Sequence, residues 1–164
     1  MHPAALDDSE LLRDCDETRT RRSGPGGQHR NKVETAVILV HRPTGIGAEA
    51  SEWRSQAQNR TVALARLRLR LALEHREPAD TGPSSLWISR TRNGRLAIAV
   101  VHRDYPTLVA EALDQLQAAG IRTADAAGAL GVTTSQLIGL FRKSAAVWKA
   151  VNAARVAAGL SRLA

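Results

Sequence analysis

Apolar positions along the first half of this chain switch from alternation to helical spacing. Residues 7–13, Asp-Asp-Ser-Glu-Leu-Leu-Arg, predict a short helix. Asp or Ser can cap it, and acids in its first turn favour the helix dipole. Residues 17–22 alternate and predict a strand, and residues 33–40, rich in β-branched side chains, predict a second. Pro43-Thr44-Gly45 is a turn, with Pro fixing one backbone angle and Gly accepting an unusual one, and residues 46–50 form the returning strand. One long helix then runs over residues 53–77. Inside it Arg66-Leu67-Arg68-Leu69-Arg70-Leu71 alternates with period two, which alone argues strand. Composition decides for helix: Ala, Leu and Arg are strong helix formers, and no β-branched residue follows Val62 before the break. Leu64, Leu67 and Leu71 then share one face, and Arg66 and Arg70 another.

Residues 78–85, Pro-Ala-Asp-Thr-Gly-Pro-Ser-Ser, break the pattern as a linker. Residues 86–92 and 95–101 flank Asn93-Gly94, a strong two-residue hairpin signal. Pro106 opens a helix that ends near Ala119, before Gly120. Thr123 can cap a helix over residues 124–130; two more follow over 134–143 and 145–158, the last ended by Gly159. Ala127 followed by Gly131, Leu137 and Leu140 fits a helix-turn-helix: a small contact residue, a turn glycine and two core leucines. Thr133, Thr134, Ser135 and Gln136 would open its second helix, with Arg142 and Lys143 at the end. A plain helical hairpin with a glycine turn gives the same pattern. The expected fold class is α+β. Residues 1–78 make a small antiparallel sheet packed on one long helix, residues 79–85 a linker, and residues 86–164 a hairpin plus a helical, basic module.

Charge adds a class of partner. The chain carries a net +7, which suits an anionic partner such as nucleic acid. The excess is uneven. Residues 1–17 hold six acids and one base, residues 18–80 twelve bases and six acids, and residues 81–164 ten bases and four acids. The acidic head is expected to stand apart from a basic remainder. Only 3% of residues are aromatic, so the core must be aliphatic. Cys15 is the only cysteine, which excludes an intrachain disulfide and suits a reducing cytoplasm. No apolar run reaches the ~20 residues that span a bilayer, and the acidic start does not read as a signal or transit peptide. No metal site and no cofactor are expected.

The stretch Ser23-Gly24-Pro25-Gly26-Gly27-Gln28-His29-Arg30-Asn31-Lys32 carries the candidate chemistry. Three glycines and a proline make a loop, because Gly permits backbone angles that other residues avoid and Pro ends regular pairing. The neutral Gln at its tip points to chemistry done by backbone and amide groups. This loop resembles the Gly-Gly-Gln loop of class I peptide chain release factors and their ribosome-rescue relatives. Three further matches agree in order and spacing: the strand after Lys32, the turn Pro43-Thr44-Gly45-Ile46, and Arg54-Ser55-Gln56 with Asn59. The resemblance covers about residues 17–77.

It implies hydrolysis of the ester between nascent peptide and tRNA in the peptidyl transferase centre of the ribosome. The backbone N–H of Gln28 would stabilise the oxyanion, Gly26 and Gly27 would let the backbone approach the ester, and the Gln28 side chain would shape the water pocket. An amide does not titrate, so Gln28 is not a general base. Ser23, Arg30, Asn31, Lys32, Arg54, Gln56 and Asn59 would meet large-subunit RNA or the tRNA end. Arg60, Arg66, Arg68 and Arg70 would form a basic helix flank, and Arg142 and Lys143 further RNA contacts. A glutamine methyltransferase acting on Gln28 is an expected partner; a monomer is the default. No stop-codon reading motif follows the linker, and no large codon-reading domain precedes the loop, so the expected action is codon-independent rescue of stalled ribosomes. Two rivals remain open. One is a nucleic-acid-binding regulator built on the helix-turn-helix with an idle loop. The other is a hydrolase of peptidyl-tRNA off the intact ribosome.

Overall fold

The computed structural model describes residues 1–20 and 35–164. Its contacts divide the chain into two compact units, Pro3–His75 and Arg76–Ala164 with Met1–His2. The architecture is α+β: short antiparallel strands and seven α-helices among the described residues.

In the unit Pro3–His75 the first helix, α1 (Asp8–Arg13), starts at Asp7 in a full capping box. The Asp7 carboxylate accepts from Glu10 N at 2.8 Å, and Asp7 N donates back to the Glu10 carboxylate. Strands β1 (Cys15–Thr20), β2 (Ala36–His41) and β3 (Gly47–Ala50) follow as an antiparallel meander in that order. β1 thus begins two residues before the expected strand. Val37 and Leu39 point from β2 into the core with Ala48 and Ala50 of β3, all at most 8% exposed. The long helix α2 (Gln56–Glu74) covers that face with Ala63, Leu64, Leu67 and Leu71. Burying each leucine contributes roughly 1.5–3 kcal/mol. The β2–β3 turn needs glycine at Gly45, where φ is +70°. Arg42 ties this turn back to the head of the chain, donating to Cys15 O at 3.0 Å and pairing with Asp16 at 3.1 Å.

The period-two stretch of α2 is helical, and its arginines have specific destinations. Arg68 is 5% exposed and donates to Ala4 O at 2.9 Å and to Asp8 at 2.7 Å. Arg66 donates to Glu49 O at 2.8 Å and pairs with Glu52. Arg70 pairs with Glu74 at 2.7 Å and also reaches Gly47 O. The acidic head therefore does not stand apart. Asp8, Asp16 and Glu17 are neutralised by Arg68, Arg42 and Arg60 within the same unit.

In the unit from Arg76 onward, residues 86–90 are not a strand. Helix α3 (Ser85–Arg90) forms instead, because Ser84 caps it by accepting from Trp87 N at 3.1 Å. Glu111 in turn holds Ser84, accepting from its N–H and its hydroxyl at 2.6 Å each. The hairpin shrinks to β4 (Thr91–Arg92) and β5 (Arg95–Leu96) around Asn93-Gly94, both left-handed at φ 49° and 70°. Helices α4 (Tyr105–Ala118), α5 (Thr123–Ala129), α6 (Thr134–Arg142) and α7 (Ala145–Ala157) complete the unit. Thr123 is not the cap of α5 but its buried first residue; Arg122 occupies the cap position. Each of α4, α5 and α7 stops in the same way, with a left-handed glycine and a bond from the next residue back to the last turn. In α5 this is Gly131 at φ +67° and Val132 N to Ala127 O at 3.0 Å. Ala127, Leu137 and Leu140 are at most 1% exposed, and α5 packs against α6 across the Gly131 turn, an arrangement that a helix-turn-helix and a plain helical hairpin share.

Candidate functional site

Ser23, Gly26, Gly27, Gln28, Arg30, Asn31 and Lys32 lie outside the described residues. The described frame on either side is well defined. β1 and β2 pair in continuous register from Cys15 with His41 to Thr20 with Ala36, so residues 21–35 connect two paired strand ends. The next fixed point is Thr35, whose carbonyl accepts from Asn59 Nδ2 at 2.6 Å.

Asn59 organises this end of the unit. It is 0% exposed. Its Nδ2 also donates to Trp53 O at 2.8 Å, and its Oδ1 accepts from Trp53 N at 2.9 Å. A buried amide with its oxygen and both its protons engaged has nothing left for RNA. Asn59 is therefore a brace between Thr35 and the segment that starts α2, which corrects its assignment as an RNA contact. In the same motif Ser55 caps α2, accepting from Gln58 N at 3.3 Å. Arg54 is exposed and makes no ion pair among the described residues, and Gln56 is half-buried on the first turn. Thus Arg54 faces outward, while Ser55 and Asn59 hold the local fold.

Beside them the sheet face changes from apolar to charged. Arg60 donates to Glu17 at 2.7 Å and Arg19 pairs with it at 3.1 Å. Arg60, and then Arg19, hold the Glu17 carboxyl below its ordinary value, with burial opposing. Glu17, Arg19, Gln56, Ala57 and Arg60 line a shallow depression of about 340 Å³ at the β1 edge. Arg66, Arg68 and Arg70 do not extend this charge as a free flank, because each is committed to carbonyls or carboxylates of its own unit. The Pro43-Thr44-Gly45 turn is likewise structural. His41 is 3% exposed, and burial pulls its pKa down while Asp14 pulls it up. Its Nδ1 lies 2.8 Å from Thr44 Oγ1, which accepts from Ile46 N; a neutral ring accepting the threonine hydroxyl fits this network.

The chain pattern did not single out Trp53. It is 53% exposed although large and apolar, and its backbone is clamped by Asn59 next to Thr35. An exposed indole beside Arg54 gives this edge a stacking surface as well as a cation. The readable signal was an aromatic residue in a chain with few of them, directly before Arg54-Ser55-Gln56.

In the other unit Arg142 and Lys143 are exposed at the end of α6, and the Arg142 guanidinium lies over the Trp148 ring, 5.1 Å from its centroid. Gln136 is half-buried, with its Oε1 accepting from Leu96 N at 3.3 Å, and Thr133 is spent on capping α6. Among the described residues no cluster of three or more His, Cys, Asp or Glu could hold a metal ion. No helix there is long and apolar enough to cross a membrane.

Residues 10–98 match the family model of the RF-1 domain, just over half of the chain. Chloroplastic peptide chain release factor PrfB1 of Arabidopsis thaliana is 47% identical over 68 residues, 42% of this chain and 15% of that protein. Peptide chain release factor 2 of Phenylobacterium zucineum is 34% identical over 157 residues, covering 89% of this chain and 42% of that protein. The mouse mitochondrial peptide chain release factor 1-like protein is 51% identical over 57 residues, covering 35% and 15%. The chain thus spans less than half the length of each of these relatives.

Proposed function

Because the chain belongs to the class I peptide chain release factor family, we propose that it hydrolyses peptidyl-tRNA on the ribosome and does so without reading a stop codon. The observation that carries the reading is the sequence Gly26-Gly27-Gln28 between two strand ends in fixed antiparallel register, beside a brace that anchors Thr35.

In the proposed step a water oxygen bonds to the ester carbonyl carbon in the peptidyl transferase centre. The bond from that carbon to the tRNA ribose oxygen breaks, and the water proton ends on the ribose oxygen. Negative charge grows on the carbonyl oxygen in the transition state. A fixed backbone N–H at Gln28 aimed there is worth about 3 kcal/mol in rate. Gly26 and Gly27 let the main chain approach without a Cβ, and the Gln28 amide excludes nucleophiles larger than water. Methylation of Gln28 by a glutamine methyltransferase would trim that pocket further. Arg54 and Gln56, with Ser23, Arg30, Asn31 and Lys32, contact large-subunit RNA and the tRNA end; residues 1–78 act as the catalytic domain and 86–164 as the recruiting one. Codon-independent action is favoured by the second unit's exposed cations, which suit phosphate rather than base recognition.

The test is peptide release from ribosomes stalled on mRNA without a stop codon, with wild type and Gly27→Ala side by side. Release by wild type alone is expected. Equal release by Gly27→Ala would overturn the mechanism, and release only at a programmed stop codon would overturn codon independence.

A further inference from the structure

We propose that the exposed face of α6, together with the exposed Lys149 that follows Trp148 in α7, is a docking surface for the sugar–phosphate backbone of double-stranded RNA. The choice of RNA over DNA rests on the proposed action at the ribosome; the surface itself rests on the following geometry.

No Asp or Glu occurs after Asp125, and Asp125 is taken by Arg122. Of the later cations Arg155 is used internally, donating to Ser161 O at 2.7 Å and Ile121 O at 3.1 Å. Arg142, Lys143, Lys149 and Arg162 remain exposed with no carboxylate paired to them, the first three on α6 and α7 or at their ends. Such a surface is complementary to a polyanion.

Spacing places the surface on one side of a helix. Ser135, Gly139 and Arg142 are the exposed positions of α6, continued by its exposed C-cap Lys143, opposite the buried Leu137, Leu140 and Phe141. Gly139 is the telling residue. It sits in the helix interior, where glycine costs about 1 kcal/mol relative to alanine. Nothing inside the molecule requires it, since a Cβ built there meets no atom within 4 Å. A bare backbone strip between Ser135 and Arg142 instead admits close approach by a partner. Stacking on Trp148 holds the Arg142 guanidinium in place, which reduces the entropy lost when it grips a phosphate.

The same face is poor in groups that read bases. Gln136 Oε1 is bonded to Leu96 N and Thr133 to its own helix, which leaves one half-buried amide NH2, the exposed Ser135 and the cations. That complement fits backbone contacts, which are indifferent to sequence and sensitive to salt.

The experiment uses the full chain and fluorescence anisotropy with a labelled RNA stem-loop, in a salt series. Arg142→Ala/Lys143→Ala/Lys149→Ala should weaken binding by about tenfold or more at low salt. It should also flatten the slope of log affinity against log salt by roughly 0.7–0.9 per lost contact. Gly139→Gln should leave the melting temperature equal or higher, since it removes a helix-interior glycine, yet weaken binding at least about threefold. Unlabelled DNA duplex of the same sequence and anionic phospholipid vesicles should compete poorly. Unchanged affinity in either variant, or DNA or vesicles competing as well as RNA, would overturn the proposal. The release assay reads the other claim separately. A chain that binds the stem-loop through this face but releases no peptide would remove the hydrolase reading and keep this surface.

Discussion

Removing the Asn59 side chain is the sharpest test of how the candidate site is held. In Asn59→Ala three part-buried backbone groups lose their partner: Trp53 N–H, Trp53 C=O and Thr35 C=O, at 2.9, 2.8 and 2.6 Å in the native chain. Each such bond contributes about 1 kcal/mol net, and a buried group left unpaired costs about 1–3 kcal/mol. Water entering the vacated space recovers part of that, so a loss of about 3 kcal/mol is expected, or roughly 6–12 °C in melting temperature. Asn59→Asp separates hydrogen bonding from volume. Its one oxygen can still accept from Trp53 N, but the other replaces Nδ2 and faces two carbonyl oxygens. That environment raises the folded-state pKa above the unfolded value of about 3.9. With a raised carboxyl pKa the folded state holds the proton longer. The Asp variant is therefore least penalised below the unfolded value and loses stability as pH rises through the folded one. Thermal melts by circular dichroism across pH check both arms, with Asn59→Ala as the reference for general acid effects. A loss below about 1 kcal/mol in Asn59→Ala, or an Asn59→Asp variant as stable as wild type at neutral pH, would refute the brace.

Glu17 should contribute stability above its ordinary value of 4.5 and lose it as pH falls through the lower folded value that Arg60 imposes. Arg60→Met should therefore melt below wild type near neutrality, and the gap should close in acid; a constant gap refutes the pairing. Tyr105→Phe removes the hydroxyl that donates to Leu140 O at 3.2 Å across α4 and α6, and should cost about 1 kcal/mol in chemical denaturation. The native phenol should resist ionisation until a pH near 12, because burial pushes its pKa up to about 12. Trp53→Ala should lower peptide release on stalled ribosomes while leaving the melting temperature nearly unchanged, since the indole is 53% exposed and its backbone, not its ring, meets Asn59.

Local signals in the chain read the fold well where the cap or turn is local. The Asp7 capping box, the Gly45 turn and the glycine stops at Gly131 and Gly159 each depend on neighbours in sequence. Residues 86–90 failed for the opposite reason. Leu-Trp-Ile favours a strand, but Ser84 fixed by Glu111, distant in sequence, starts a helix there. Thr123 failed similarly: a residue type suited to capping is buried one position inside the helix. At the site, the resemblance to the release factor family identified Arg54-Ser55-Gln56 and Asn59 as a unit but not the division of labour among them. An asparagine reads the same in sequence whether it meets RNA or clamps a backbone; only its burial and its three bonds decide.

Charge shows the same lesson with a functional consequence. A net +7 suggests a broadly basic surface, yet most described cations of the unit Pro3–His75 are spent inside it. Arg42, Arg60 and Arg68 neutralise the acidic head, and Arg66 and Arg70 neutralise Glu52 and Glu74. Apart from the buried Arg68, pairs this exposed contribute little stability singly, but they remove those arginines from the reach of a polyanion. Among the described residues, Arg54 of that unit and Arg92, Arg95, Arg142, Lys143, Lys149 and Arg162 of the helical unit are exposed without such a pairing. Neither group offers a set of base-reading amides. Unpaired cations of this kind draw affinity from phosphates rather than from base edges.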